Sequence, residues 1–554
     1  MNYSKIPLAQ TITELCRAKE IKHIIICPGS RNAPLTIGFT ENPFFKVYSI
    51  VDERAAAFFA LGIAQQTGHA TAVICTSGSA VLNFYPAVAE AFYSDIPLVV
   101  ISADRPPQFI DIGDGQTIRQ ENIFEKHIIY SANLKIEEEY QKYNETQINI
   151  AINSAIELKG PVHINAPFEE PLYQKTELPT VLPQNVPANK DKNSLTDDLE
   201  KFATIWNNAK RKLILVGVQQ PDAISQNIID QLAADPSVLV MTETTSNLYH
   251  QNFICSIDQL IASMSANDFK ELQPDVLLTF GGMVISKKIK AFLRDFPAKH
   301  HWHVDEKKAY DTFFYLSHHF KTQPEAFFKA FLPHIHNLNS NYQLQWLSVK
   351  NQRALKHKEY LRGIPFSDFK AFQHILNHLP QNIILQLGNS AIVRYAQLFS
   401  LCKTLKVFCN RGTSGIDGST STAIGAAVAA KEQVVFITGD LSFFYDANGL
   451  WNNYIPKTFK IIVVNNNGGG IFRILPGEKD TQNFDLFFET IHSLSAKQLC
   501  EMHKFNYHIT ENEEALPGVL TEFFAKNDQP QLLEIKTPRT VNDKVLLDYF
   551  KFLK

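Results

Sequence analysis

Residues 439–476 read GDLSFFYDANGLWNNYIPKTFKIIVVNNNGGGIFRILP. The acidic turn Gly439-Asp440 directly follows the apolar run 434–438, and the polar run 465–467 directly follows the apolar run 461–464. Short β-branched runs with a helix-length segment between them predict neighbouring parallel strands, buried on both faces. Because ligands of such sheets bind outside the carboxyl ends of the strands, we expect Asp440 and Asn466 to meet in one crevice.

The residue types at this crevice are typical of a divalent metal site. A carboxylate, an amide oxygen and a backbone carbonyl are hard ligands for Mg²⁺, and phosphate oxygens can complete its octahedron. Asp440, Asn466 and the flexible Gly468 would supply the protein ligands, with Asn467 as an alternative to Asn466. The sequence therefore predicts a diphosphate site here; an ordinary strand end with a glycine-rich turn is the alternative.

Length and composition set the broad class. A chain of 554 residues is long enough for three or four domains, and 45% hydrophobic with 20% charged residues is typical of globular proteins. A formal net charge of -3 gives no electrostatic case for nucleic acid or an acidic membrane. Seven cysteines without C-x-x-C spacing argue against disulfides and zinc. With no signal-peptide pattern and no long apolar run, we expect a cytoplasmic protein.

Alternating strand and helix patterns predict an α/β protein with three Rossmann-like or flavodoxin-like domains and parallel sheets. We expect the domains to cover residues 1–178, 195–340 and 363–554, joined by an extended linker at 178–194 and a polar helix at 338–362. The two outer domains share one strand–turn–helix pattern, which suggests a duplicated fold. The three histidines at 300–303 predict an exposed edge strand rather than a metal site, because alternate side chains of a strand face opposite sides.

Polar turns also follow the predicted strands of the first domain. They contain Ser30-Arg31, Glu53, Thr76-Ser77-Gly78 and Arg105. A carboxylate such as Glu53 at the start of a helix is commonly a cap that complements the helix dipole. The glycine- and aspartate-rich stretch 111–120, which contains Gln116, predicts a loop.

These motifs resemble the MenD family of thiamine diphosphate (ThDP) enzymes, the menaquinone-pathway synthases of 2-succinyl-5-enolpyruvyl-6-hydroxy-3-cyclohexene-1-carboxylate. Gly439-Asp440, followed about 24 residues later by Asn465-Asn466, is similar to the diphosphate motif of ThDP enzymes at large. Leu441 stands where that motif usually has glycine, and GDLSF with NNNGGGIF is closer to the MenD family. The runs PGSRNAPL at 28–35 and RGTSGIDG at 411–418 resemble the same family.

The resemblance implies a function. It implies decarboxylation of 2-oxoglutarate and 1,4-addition of the resulting succinyl-semialdehyde carbanion to isochorismate, with ThDP and either Mg²⁺ or Mn²⁺ as cofactors. It further implies a homodimer or homotetramer (dimer of dimers), with each active site formed between the first domain of one subunit and the third domain of another. Neither nucleic acid nor a membrane is an expected partner.

The resemblance also implies roles for individual residues. Glu53 would hydrogen-bond N1′ of the aminopyrimidine, and Ile416 would hold the cofactor in its bent shape. The implied cofactor-binding residues are Ser30, Glu53, Thr76, Ser77, Gly78, Ile416, Gly439, Asp440, Leu441, Ser442, Asn466, Gly468, Ile471 and Phe472. The implied catalytic and substrate-binding residues are Arg31, Glu53, Arg105, Gln116, Lys287, Arg394 and Arg411.

Four arginines, two in each outer domain, follow predicted strands: Arg31, Arg105, Arg394 and Arg411. Guanidinium forks bind planar carboxylates bidentately, so together they indicate a polyanionic substrate. Another ThDP-dependent 2-oxoacid decarboxylase or an acetolactate-type synthase stays an alternative, although glycine at 441 and a less basic pocket would be expected there. A catalytically silent protein of this fold is disfavoured by the presence of Glu53, Asp440 and Asn466.

Overall fold

The computed structural model describes residues 2–189, 196–475, 477, 479 and 481–554. Three six-stranded sheets follow one another along the chain, and every strand pair within them is parallel. The α/β class with three parallel-sheet domains is thereby confirmed. Residues 190–194 of the expected linker lie outside the described residues.

The first sheet has the strand order β3-β2-β4-β5-β7-β6, and a short antiparallel pair, β1 with β8, lies beside it. Neighbouring residues of one strand, such as Ile24 and Ile25, pack into different hydrophobic clusters, so both faces of the sheet are buried. Its elements are β1 Tyr3–Ser4, α1 Pro7–Ala18, β2 His23–Ile26, α2 Ala33–Thr40, β3 Lys46–Ser49, α3 Glu53–Thr67, β4 Thr71–Cys75, α4 Ala80–Asn83, α5 Tyr85–Ser94, β5 Leu98–Asp104, β6 Tyr130–Asn133, α6 Gln141–Leu158, β7 Val162–Pro167 and β8 Lys175–Thr176.

The middle sheet has the order β11-β10-β9-β12-β13-β14, which is the 3-2-1-4-5-6 order of dinucleotide-binding folds. The helix α13 then leads to the third domain. The elements are α7 Leu199–Asn208, β9 Lys212–Val216, α8 Gln226–Ala234, β10 Val238–Thr242, β11 Phe253–Ile254, α9 Ile257–Ile261, α10 Ala266–Leu272, β12 Val276–Phe280, α11 Lys287–Asp295, β13 His300–Val304, β14 Leu316–Phe320, α12 Pro324–Phe331 and α13 Tyr342–Gly363.

The prediction of an exposed edge strand at 300–303 was wrong. The strand β13 lies inside the sheet between β12 and β14, and His301 is only 1% exposed. His301 Nε2 lies 3.0 Å from Thr279 Oγ1, and burial lowers the pKa of His301 to about 4. The edge is formed by β14, whose sequence LSHHF has too few apolar residues to indicate a strand.

The third sheet has the order β16-β15-β17-β18-β20-β19. Counted from each domain's own first strand of the sheet, this order is the same as in the first sheet, in agreement with a duplicated fold. The elements are α14 Asp368–His378, β15 Ile384–Leu387, α15 Ala391–Ala396, β16 Lys406–Cys409, α16 Ser419–Ala429, β17 Val434–Gly439, α17 Asp440–Tyr445, β18 Lys460–Asn465, α18 Ile471–Ile474, α19 Lys497–His503, β19 Asn506–Thr510, α20 Leu516–Phe524, β20 Gln531–Lys536 and α21 Asn542–Phe552.

The first and third domains share one hydrophobic core, built around the contact between α3 and α16. Two glycines permit the close approach of these helices. A Cβ at Gly62 would lie 2.1 Å from the carbonyl oxygen of Thr422, and one at Gly425 would lie 2.0 Å from that of Phe59. Asp52 is the N-cap of α3, and its carboxylate accepts from the amide of Ala55 at 3.0 Å, so Glu53 is fixed in the first turn of the helix. Among the described residues, none of the helices has the length and apolarity to cross a membrane.

Candidate active site

The carboxyl ends of β17 and β18 bring the two polar motifs of the third domain together. The strands are direct neighbours, with Gly439 paired to Val464. Asp440 begins α17 immediately after β17, and Asn466 follows the last residue of β18. Both side chains are buried, at 3% and 7% exposed. The two motifs therefore lie at the carboxyl ends of neighbouring strands, as the crevice hypothesis requires.

The carboxylate of Asp440 is held by backbone amides. Its Oδ1 accepts from the amide of Leu441 at 2.7 Å, and its Oδ2 accepts from the amide of Gly468 at 3.0 Å. The Nε2 of His492 lies 3.2 Å from Oδ2 without hydrogen-bond geometry. The carbonyl of Gly468 accepts from the amide of Gly470 at 3.0 Å, so it retains one lone pair.

Asn466 is oriented by an aspartate that the sequence analysis did not identify. Its Nδ2 donates to Asp368 Oδ2 at 2.8 Å, which leaves Oδ1 buried and without a hydrogen-bond partner. Asp368 is itself 3% exposed, and its other oxygen accepts from the hydroxyl of Thr537 at 2.5 Å. Burial raises the pKa of Asp368 to about 6. No local pattern links residues 368 and 466, because they are far apart in sequence.

These atoms fit a hard divalent cation. A buried carbonyl oxygen without a partner costs free energy unless another group satisfies it, and a cation beside Asp440 would do so. Asn466 is better placed for this than Asn467, which is half-buried and has a left-handed backbone with φ of 63°. Ligation by two protein side chains leaves room for diphosphate oxygens on the same ion.

A loop at residues 410–418 forms the next wall. Asn389 fixes it, because its Nδ2 donates to the carbonyls of Asn410 and Gly415, both at 2.7 Å. The Oδ1 of Asn389 accepts from Arg411 Nη1 at 2.7 Å, and Arg411 is 8% exposed. The hydroxyl of Ser442 donates to the carbonyl of Ile416 at 2.7 Å, so this loop is bound to the first turn of α17 while the Ile416 residue stays 36% exposed.

Arg394 lies beside Arg411. Burial and next the charge of Arg411 lower the pKa of Arg394. Its Nη1 donates to the carbonyl of Ser390 at 2.6 Å, and Ser390 has φ of 65° and ψ of -125°, a conformation that L-residues rarely adopt. Strained backbone of this kind concentrates at functional sites. The sequence analysis did not single out Ser390, since strain leaves no compositional signal in serine.

The middle domain adds charges next to the two arginines. The carboxylate of Glu243 accepts from the amides of Ile285 and Ser286 at 2.6 and 2.7 Å, and burial raises its pKa to about 7. Lys290 is half-buried in α11, and burial is the first cause of its lowered pKa; the charges of Glu243 and Arg411 act on it as well. The expected lysine, Lys287, is exposed in the first turn of the same helix. Lys290 is thus the lysine whose charge interacts with Arg411.

A buried ion-pair network holds the segment that follows the asparagines at 465–467. Glu489 is fully buried and accepts from Arg473 Nε at 2.6 Å and from Arg539 Nη1 at 2.6 Å. Its backbone carbonyl also accepts from the amide of Gly469. Ile471 and Phe472 start α18 in this segment, and Phe472 is 37% exposed. Both side chains therefore follow closely along the chain from Gly468, whose amide donates to Asp440.

The first domain presents a second group of residues at the carboxyl edge of its sheet. Glu53 is half-buried above the strand ends, and its charge contributes, after burial, to the raised pKa of Cys27 and Cys75. Its carboxylate accepts from Asn83 Nδ2 at 3.4 Å. Within the part of the chain that the structure describes, no hydrogen bond or ion pair joins Glu53 to Asp440 or Asn466.

Arg31 and Arg105 form a pair in this group. Burial and next the charge of Arg105 lower the pKa of Arg31. Arg31 is 5% exposed; its Nη1 donates to the carbonyl of Phe168 at 2.9 Å, and its Nη2 lies 3.4 Å from Glu170. The Nε atoms of Arg31 and Arg105 are buried and have no partner, and the same holds for Arg411.

The remaining first-domain candidates lie on one connected set of turns. Gln120, fully buried, accepts from the amide of Gly78 at 2.9 Å and donates to the carbonyl of Ala103 at 3.2 Å. Gly78 packs on the backbone of Gln116, which is exposed and has φ of 55°. Ser30 is exposed, whereas Thr76 and Ser77 are buried. The turn and the predicted loop are therefore held together by Gln120, which the sequence analysis did not select.

The candidate residues thus form two groups in one chain. The first contains Ser30, Arg31, Glu53, Thr76, Ser77, Gly78, Arg105 and Gln116; the second contains Arg394, Arg411, Ile416, Gly439, Asp440, Leu441, Ser442, Asn466, Gly468, Ile471 and Phe472. No hydrogen bond or ion pair between described residues connects a member of one group directly to a member of the other.

Three family models match the chain in succession. They are described as the N-terminal TPP binding domain of thiamine pyrophosphate enzymes, at residues 6–127, the "middle domain of thiamine pyrophosphate", at 186–387, and the C-terminal TPP binding domain of thiamine pyrophosphate enzymes, at 388–535. The first group of site residues falls within the N-terminal model, and the second group falls within the C-terminal model.

Curated relatives match along the whole chain. Proteins named 2-succinyl-5-enolpyruvyl-6-hydroxy-3-cyclohexene-1-carboxylate synthase from Flavobacterium psychrophilum and Christiangramia forsetii are 56% and 54% identical, with 100% of both chains covered. A protein of the same name from Porphyromonas gingivalis is 36% identical over 100% of this chain and 98% of its own length.

Proposed function

We propose the following reaction for this chain, which belongs to the 2-succinyl-5-enolpyruvyl-6-hydroxy-3-cyclohexene-1-carboxylate synthase family of thiamine diphosphate enzymes. The protein decarboxylates 2-oxoglutarate and adds the resulting four-carbon carbanion equivalent to isochorismate in a 1,4-addition. The product is the compound in the relatives' name, an intermediate of menaquinone biosynthesis.

The observation that carries the substrate assignment is the set of unsatisfied guanidinium groups. The Nε atoms of Arg31, Arg105 and Arg411 are buried without a partner, and no aspartate or glutamate side chain lies within 4.0 Å of Arg105 or Arg411 in the described part of the chain. Buried donors of this kind are satisfied by an anionic ligand. Both 2-oxoglutarate and isochorismate carry two carboxylates, which matches arginines in both groups.

The cofactor is held by both groups in this proposal. Asp440, Asn466 and the carbonyl of Gly468 hold Mg²⁺, or Mn²⁺, which binds the diphosphate. Glu53 holds a proton at N1′ of the aminopyrimidine, and Ile416 supports the bent form of the cofactor. Bound ThDP supplies the electron sink for the release of carbon dioxide. The residues of this chain orient the substrates, bind their carboxylates and exclude water.

We further propose that two copies of the chain complete each site, as a homodimer or a dimer of dimers. Among the described residues, no hydrogen bond or ion pair joins the two groups within one chain, which supports this because the cofactor needs both. Exposed apolar side chains surround the third-domain group, among them Leu486, Phe487 and Phe488 at 53% to 72% exposed. Large exposed apolar surface of this kind is typical of an interface.

The domain division at residues 1–178, 195–340 and 363–554 is part of the same proposal. Each range encloses one of the three sheets. The cytoplasm is the proposed location, because all seven cysteines are free thiols, as in proteins of a reducing compartment.

Substrate choice tests the reaction. With ThDP and Mg²⁺, we expect the purified protein to consume 2-oxoglutarate rapidly only when isochorismate is present, and to consume pyruvate poorly. Pyruvate lacks the second carboxylate, and each stranded buried charge costs about 1–3 kcal/mol or more. Rapid turnover of pyruvate would instead indicate a decarboxylase or an acetolactate-type synthase.

A further inference from the structure

A cavity of about 510 Å³ lies between the middle domain, α13 and the third domain. Its walls come from residues 249–260 of the middle domain, from Lys350 and Arg353 of α13, and from residues 400–403 of the third domain. None of the candidate active-site residues lines it. The volume is in the range of small-molecule binding sites.

The walls of this cavity carry positively charged side chains, and no carboxylate lines it. Lys350 and Arg353 are three residues apart and share one face of α13, and Lys403 faces them from the third domain. Among the described residues, none of these three cations has a carboxylate within 4.0 Å, as the ion pairs of the chain all involve other residues.

Two buried polar groups on the walls also lack partners. Arg353 Nη1 and the hydroxyl of Tyr249 are both inaccessible to solvent and make no hydrogen bond. Lys350 Nζ donates once, to the carbonyl of Gln251 at 2.7 Å, and so has two further protons to donate. Burial raises the pKa of Tyr249, so its hydroxyl remains a donor at neutral pH. Together the walls offer several donors that an anion could accept from.

The wall also carries the apolar side chains of Ile254, Leu260 and Leu401, beside uncharged polar residues such as Gln226, Ser256 and Ser400. We propose that this cavity is a second ligand site, which binds an organic dianion through Lys350, Arg353 and Lys403. The ligand is a phosphate ester or a dicarboxylate, and its apolar body packs on the three aliphatic side chains. The guanidinium and ammonium groups favour a ligand with negative charge, and the aliphatic side chains favour a ligand with an apolar organic body.

The cavity is physically connected to the candidate active site. Residues 398–405 lead from α15, which carries Arg394, to β16, which precedes Arg411. Gln259 on the cavity wall donates to the carbonyl of Leu398. A bound ligand would therefore contact the segment between the two arginines proposed to bind substrate.

Calorimetry on the protein saturated with ThDP and Mg²⁺ tests the proposal. The probes are phenyl phosphate and phthalate, two organic dianions of different chemistry, with phenol as the uncharged control. We expect at least one dianion to bind and phenol not to bind, at millimolar concentration. Binding of phenyl phosphate alone would assign the site to phosphate esters, and binding of phthalate alone to dicarboxylates.

Four variants test whether the probes bind in this cavity or elsewhere on the protein. We expect Arg353→Met and Lys350→Met each to weaken probe binding at least about tenfold, because each removes a charge but keeps an apolar stem. Arg362→Met, an exposed position on the same helix outside the cavity, should change it less than about twofold. Retained ThDP binding shows that a variant is folded. Unchanged binding in both cavity variants, loss of binding in Arg394→Met alone, or no binding by either dianion would overturn the proposal.

Discussion

Replacement of Asp368 tests the proposed metal site through a residue that does not itself contact the ion. Asp368 accepts from Asn466 Nδ2 at 2.8 Å and so fixes the orientation of the Asn466 carbonyl oxygen, which is buried without a partner. In Asp368→Ala the amide loses this acceptor, and Asn466 is free to rotate. We therefore expect Mg²⁺ to bind more weakly while the two ligating side chains remain present.

The expected size follows from this geometry. Loss of a group that orients a metal ligand typically lowers metal affinity about 10- to 100-fold, or roughly 1.4 to 2.8 kcal/mol. Removal of Asp368 also leaves the buried hydroxyl of Thr537 without its acceptor, at roughly 1 to 3 kcal/mol of folding free energy. Stability should therefore fall as well, and binding has to be measured where the variant is still folded.

Asp368→Asn is the matched control. An asparagine can keep its carbonyl toward Asn466 Nδ2 and donate its new amide to the Thr537 hydroxyl, which can accept. Both neighbours stay satisfied, so we expect this variant to lose much less Mg²⁺ affinity than the alanine variant.

The assay is a Mg²⁺ titration at fixed ThDP, followed by calorimetry and by protein fluorescence, with circular dichroism and thermal unfolding to verify the fold. A folded Asp368→Ala variant with unchanged Mg²⁺ affinity would refute the orienting role. Equal losses in both variants would show that the charge of Asp368 matters rather than its hydrogen bond to Asn466.

Three further predictions concern assembly, substrate binding and pH. Glu53→Gln and Asp440→Ala should each be inactive, whereas mixing them under verified subunit exchange should restore part of the activity; no recovery would place the whole site in one chain. Arg105→Ala, Arg394→Ala and Arg411→Ala should raise KM or lower kcat/KM, about tenfold per 1.4 kcal/mol, with ThDP affinity nearly unchanged, and loss of ThDP binding in all three would contradict the substrate role. Burial lowers the pKa of His163 to about 3, so the unfolded chain binds the extra proton and stability is lost as pH falls below about 6.5. Between pH 7 and pH 5 we expect the wild type to lose about 2 kcal/mol more than His163→Gln in denaturant unfolding, and parallel profiles would refute this.

Much of the third sheet was predictable from sequence because its strands are short apolar runs. The runs at 434–438 and 461–464 became β17 and β18, adjacent and parallel, and the placement of Asp440 and Asn466 at neighbouring strand ends followed from that alone. By contrast, β13 was misjudged as an exposed edge because its three histidines suggested a polar surface. The strand β14, which pairs with β13 and forms the edge of the sheet, lacks the apolar pattern that predicts a strand.

The parts of the site that were not predicted are contacts between residues distant in sequence. Asp368 orients Asn466, Gln120 ties Gly78 to the loop of Gln116, and Glu243 binds the amides before α11. Each of these residues is an ordinary polar residue in its local context. Its role depends on which strand ends the topology places together, and periodicity does not encode that.

The glycines of the loop at 411–418 are recognisable in the sequence, but the physical reason for them is seen only in the structure. Its density of glycine is like that of a phosphate loop, yet the carboxylate of Glu90 accepts from the amides of Gly412 and Thr413, both at 2.7 Å. A phosphate cannot use those amides while Glu90 occupies them. A Cβ at Gly412 would lie 2.6 Å from the Glu90 carbonyl oxygen, and one at Gly418, where φ is 66°, would lie 2.1 Å from the ring of Phe58. The glycines are therefore required by the close approach of the first domain, and this contact fixes the loop that carries Arg411 and Ile416.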